Sequence, residues 1–194
     1  MGNRAASDVE DFTGSHNVGM GSYALSKIMT GLKNVAIGYH AGEQIIGGNY
    51  NVCIGSESGT DILGGSYNVA IGHHALTEAV GDTGNVAIGQ NSFYFLDDGS
   101  SDGSTTATYN VGVGDGSGKQ VSTGTQCTFI GAFAGEGNSS NRLTGSKHAC
   151  LGYKAGKLIE GASQGNTLVG HEAGDGITTG SDNVSVGAYA LDAA

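Results

Sequence analysis

The chain has 194 residues with 37 glycines, no proline and no tryptophan, and its 8 basic against 18 acidic side chains give a formal charge of −10. That acidic balance, with no basic patch, excludes a nucleic-acid partner, and no run approaches the ~18 apolar residues of a membrane span, which excludes membrane insertion. The three cysteines, Cys53, Cys127 and Cys150, are an odd and widely spaced set that makes no disulfide framework.

Residues 1–16 carry no repeat. Met1 to Phe12 hold one arginine, three acids and no apolar signal core, so this stretch is expected to be a cap or attachment segment ahead of a repeat domain spanning 17–194. From Asn17 onward one phrase recurs, Asn-Val-x-Ile-Gly, with Met20 in the Ile place of the first copy. It begins at Asn17, Asn34, Asn51, Asn68 and Asn85, and every step (34−17, 51−34, 68−51, 85−68) is the same, a period of seventeen. Degenerate copies follow at Asn110, Cys127, His148, Asn166 and Asn183. Such a fixed period marks a stacked array in which neighbouring units complete one another's core.

Within each copy Val and Ile stand two apart, as in Val35/Ile37 and Val69/Ile71, so a strand points both to one face. That face is expected inside the coil. The small residue between them, Ala36, Cys53, Ala70, Ala87 or Ser185, is then expected outside, close to a second packed surface, and Cys53 and Cys150 read as small apolar fillers of this slot. Later in each unit come Ala24-Leu25, Ala41-Gly42 or Ala75-Leu76, and then Ile28-Met29, Ile45-Ile46, Ile62-Leu63 or Ala79-Val80. The repeat asparagines, Asn17, Asn34, Asn51, Asn68, Asn85, Asn110, Asn166 and Asn183, fit a turn and a ladder from coil to coil. Gly38, Gly55, Gly72 and Gly89 mark a backbone with φ > 0 or close approach. The fold class is therefore an all-β parallel β-helix solenoid of about ten coils.

Two breaks in register are the candidate sites, since loops added to a rigid stack tend to carry binding. The step from Asn85 to Asn110 (110 − 85) exceeds the period by eight. Here Phe93, Tyr94, Phe95, Asp97, Asp98 and Asp102, with Tyr109, form an aromatic and acidic mix suited to a receptor contact. Phe93 and Leu96 also fall on columns that are apolar elsewhere, so a core position competes with contact for them. The step from Cys127 to His148 (148 − 127) exceeds the period by four and adds a polar loop containing Asn138 and Arg142. The spacing of Asp97, Asp98 and Asp102 matches no calcium loop. His40, His73, His74 and His171 all follow a motif Gly but form no His-x-His pair, so stacked or surface imidazoles are expected and no metal or cofactor. No nucleophile elbow, zinc-protease helix or phosphate loop is present, and no enzyme activity is expected.

The phrase Asn-Val-Ala-Ile-Gly, followed by Ala-Gly or Ala-Leu, resembles the head repeats of trimeric autotransporter adhesins of the YadA type. It is also similar to the Asn-x-Ala-Ile-Gly-Tyr-x-Ala arrays of bacteriophage tail fibres, most clearly from Asn34 to Gly42 and from Asn68 to Leu76. The resemblance covers residues 17–191 and implies a left-handed β-roll, intertwined or side by side in a homotrimer. Adhesin heads usually have shorter coils, an export signal, a coiled-coil stalk and a membrane barrel, none of which is read here. The expectation is therefore a structural and adhesive part of a phage tail fibre or virion appendage. Neighbouring fibre proteins and a host-surface glycan or protein would be its partners. The alternatives are a bacterial adhesin head at the cell surface and a left-handed β-helix acyltransferase, whose coils run slightly longer than this period.

Overall fold

The computed structural model describes residues 13–96, 107–140 and 142–192. Ten three-residue strands follow in order: β1 (Val18–Met20), β2 (Val35–Ile37), β3 (Val52–Ile54), β4 (Val69–Ile71), β5 (Val86–Ile88), β6 (Val111–Val113), β7 (Thr128–Ile130), β8 (Ala149–Leu151), β9 (Thr167–Val169) and β10 (Val184–Val186). Each pairs in parallel with the strands before and after it, so sheet order is sequence order. Parallel neighbours need a crossover, and here the rest of each coil supplies it. No described residue is helical, and the molecule is an all-β parallel solenoid. Ten strands make nine steps (10 − 1), a sheet about 43 Å long at ~4.8 Å per step. Pairing to the first coil begins at Thr13 and Gly14, whose amides donate to Met29 O at 2.9 Å.

Register holds across both insertions. Val86 pairs with Val111, and Thr128 with Ala149, so the added residues leave the sheet undisturbed. After each strand comes a motif glycine with φ between 128° and 141°. Its column is too close for side chains: a Cβ on Gly72 would lie 2.6 Å from Gly89 O.

The faces of the strand are the reverse of the sequence expectation. Ala36, Cys53, Ala70, Ala87, Phe129, Cys150 and Leu168, the middle residues, are fully buried, whereas Val and Ile point out and are partly exposed. The reason is volume. So short a coil encloses a narrow interior, and the opposite walls already fill it with Leu25 and Ile28, Ile45, Ile62, Leu76, or Phe93 and Leu96. Only a small strand residue fits beside them. Where the strand side chain is large, the opposite wall gives way: Phe129 lies against Gly135, and Leu168 against Gly174, where a Cβ would come within 2.8 Å of Leu168 Cδ1.

The asparagine ladder forms as expected. Asn34 Oδ1 accepts from the Asn51 amide at 2.8 Å, while Asn34 Nδ2 donates to Gly48 O at 2.8 Å. Asn51, Asn68 and Asn85 repeat the pattern, and all are buried. His148 substitutes for the amide: Nε2 donates to Ser163 O at 3.0 Å, and Nδ1 faces the Asn166 amide at 3.3 Å.

Candidate functional site

The fifth and sixth residues after each repeat Asn form an outer corner of the coil. The sixth is left-handed in coil after coil, at Tyr23, His40, Glu57, His74 and Asn91, with φ between 53° and 61°. Because the same backbone recurs, these side chains leave the coil in one direction and meet their counterparts one coil away. Tyr23 stacks on His40 at 4.6 Å between centroids, and His74 Nε2 lies 3.6 Å from Glu57 Oε2. His40 Nδ1 is hydrogen-bonded to Glu43, which also pairs with Lys27 at 3.1 Å. Burial alone would raise the Glu43 carboxyl, but the bonds from His40 and Lys27 outweigh it, and its pKa is lowered. Between the aromatic and acidic groups lies a cleft of about 300 Å³ lined by Tyr39, His40, Glu43, Glu57 and Thr60.

The next column inward along the chain holds Gln44, Asp61, Glu78 and Phe95, bridged in parallel from Asp61 to Glu78 and from Glu78 to Phe95. Gln44 donates to Asp61. Burial raises the Asp61 carboxyl, against the opposing effect of that bond, and Glu43 nearby raises it further. Glu78 is also raised, by burial first, then lowered in part by Arg142 and raised again by Asp61.

The two register breaks meet on this column. Arg142, from the second insertion, lies over the ring of Phe95, which is on the regular column just before the first break, at 4.9 Å. Phe95 in turn packs edge-on against Tyr94 at 4.3 Å, and Tyr94 against His74 at 5.4 Å. Burial, followed by Glu78 and Glu57, raises the Tyr94 phenol. Tyr94, Phe95 and Arg142 thus form one half-buried aromatic and cationic patch beside the carboxylates.

The other expected residues are not brought to it. Phe93 is a correction: its ring is fully buried, 6.1 Å from Phe129, and fills the space that Gly112 and Gly118 leave, so it is core and no contact residue. Leu96 is likewise interior. Tyr109 is exposed, but it stands two residues before β6, on the corner where Lys33 reaches Tyr50 OH at 3.0 Å and Tyr50 stacks on Tyr67 at 5.0 Å. Asn138 accepts from the Ser140 amide at 2.9 Å within its own turn. Asp97, Asp98 and Asp102 lie outside the described residues.

Sequence reading missed Glu43, Glu57 and Glu78. Glu57 was legible by subtraction, since 74 − 57 equals the period and places it one coil from His74. Among the described residues no helix is long and apolar enough to cross a membrane. Comparison with protein-family models, curated proteins and solved structures finds no match.

Proposed function

We propose that this chain is a structural and adhesive segment of a phage tail fibre or comparable virion appendage. It acts as a homotrimer of left-handed solenoids and contacts a host-surface glycan or protein through the Tyr94, Phe95 and Arg142 patch. The observation that carries this reading is the outer sheet face. Ile37, Ile54, Ile88, Ile130 and Leu151 are each 36–41% exposed in the single chain, and with the Val column they make an apolar rail along the whole rod.

A contiguous rail about 43 Å long and one strand wide is larger than the scattered apolar surface of a soluble monomer. A second copy is the occupant that fits, because only an equally long and regular rod can cover it. The first coils add a second, different apolar column, with Met29 and Ile46 exposed and Leu63 and Val80 half-buried. Two unlike faces on one chain favour a head-to-tail ring, and three is the count that the resemblance to adhesin heads and tail fibres implies.

Sedimentation of the purified chain and antibody labelling of virions test the reading together. A trimer and labelled appendages are expected. A stable monomer at micromolar concentration overturns the assembly, and label on bacterial surfaces in place of virions would assign the chain to an adhesin head.

A further inference from the structure

Glu57, His73 and His74 converge on the outer corner of the third and fourth coils, and their ligand atoms all lie within 4.8 Å of one another. We propose that these three residues form a binding site for a divalent transition-metal ion, with Zn²⁺ the ion their chemistry fits best. Two imidazole nitrogens and one carboxylate oxygen are a donor set that zinc accepts, and three protein ligands leave a position for water or an incoming ligand.

The frame is rigid where it needs to be. Glu57 and His74 occupy equivalent left-handed positions, φ 57° and 56°, one coil apart, and the His74 amide donates to Ser56 O at 3.1 Å. Ligands bound at about 2.0–2.1 Å in a tetrahedron stand roughly 3.3 Å apart, so the 3.6 Å between His74 Nε2 and Glu57 Oε2 needs only a small contraction. His73 is exposed and free to turn its ring inward to complete the set.

The other corner histidines are engaged elsewhere. His40 is bonded to Glu43, and His171 stacks on Tyr153 and meets Tyr189 at a tilt. The sequence expectation of no metal rested on the missing His-x-His pair. Coil stacking supplies instead a third ligand from one full period earlier (74 − 57).

The test is isothermal titration of the full chain with ZnCl₂, which does not depend on the assembly or the host. One ion per chain is expected. His73→Ala, on an exposed residue, and Glu57→Gln should each weaken binding about tenfold or more, with melting in the absence of metal unchanged, while His40→Ala and His171→Ala bind as wild type. Absence of saturable binding overturns the site. So does affinity retained in His73→Ala, or a stoichiometry of one ion per three chains, which would put the ion between chains.

Discussion

Asn68 completes two backbones at once. Its Oδ1 accepts from the Asn85 amide at 2.9 Å and its Nδ2 donates to Asp82 O at 2.7 Å, in a site closed to water. Replacing it with Ala would leave both of those groups buried without their partner, and each such loss costs about 1–3 kcal/mol. Asn68→Ala is therefore expected to destabilise the chain by about 2–6 kcal/mol, read as a lower denaturant midpoint. A cost below about 1 kcal/mol, the low end for a single lost partner, would mean that the ladder is ornamental. The arrangement also accounts for the tolerance of His148 in the same column. An imidazole offers one acceptor and one donor nitrogen in nearly the places of an amide's oxygen and nitrogen. The residue type was legible in sequence as a repeated Asn, and so was the ladder. That His148 satisfies the same role was not, because it depends on Ser163 O lying 3.0 Å from Nε2.

Among the elements, the strand gives the sharpest test of which face is inside. Ala70 and Ile71 are neighbours on β4, one fully buried and the other half-exposed in the single chain. Ala70→Leu adds volume to a filled coil and should cost about 1–3 kcal/mol. Ile71→Asp should leave the single chain folded but block its self-association, giving a soluble monomer by light scattering. Should Ile71→Asp unfold the chain while Ala70→Leu is silent, the assignment of faces is wrong.

The carboxylate column gives a pH dependence. Asp61 and Glu78 have pKa values raised in the fold, so the native state holds their protons to higher pH than the unfolded chain does. Their contribution to stability falls as pH rises through the window between the ordinary and the raised values. Glu43 is lowered and runs the other way, losing its contribution on acidification. Asp61→Asn keeps an oxygen for Gln44 and removes the charge. It should raise the melting temperature at pH 7 and lose that advantage below about pH 4, where the ordinary Asp carboxyl is protonated. Equal gains at both pH values would point to packing instead of charge.

For the whole molecule, regularity makes a rod, and its two breaks set apart one patch. The backbones of Tyr94, Phe95 and Arg142 join the coil-to-coil hydrogen bonds, as Phe95 N does with Lys119 O at 3.1 Å, while their side chains make the patch, so the side chains can be altered with the sheet register intact. Phe95→Ala removes the ring that Arg142 covers. On the proposed function it should weaken particle adsorption to host cells by about tenfold or more, on the order of the avidity that several copies confer, with much smaller loss for the isolated protein. Unchanged adsorption by particles carrying Phe95→Ala would make this segment a shaft and place recognition elsewhere.

The sequence alone determined the parallel stack, the strand positions, the asparagine ladder and the glycine column, because each is periodic and a constant step puts equivalent positions in register. It did not determine which strand face lies inside. Alternation says that Val69 and Ile71 share a face, but the choice between faces depends on the space left by Leu76 and its counterparts on the opposite wall, a property of the closed coil. It likewise did not bring Phe95 to Arg142, which are far apart in the chain (142 − 95) and separated by no whole number of periods. Phe95 is still on the period, one step after Glu78 (95 − 78), but Arg142 sits in a segment that departs from it, and only the tertiary structure decides where a departure returns.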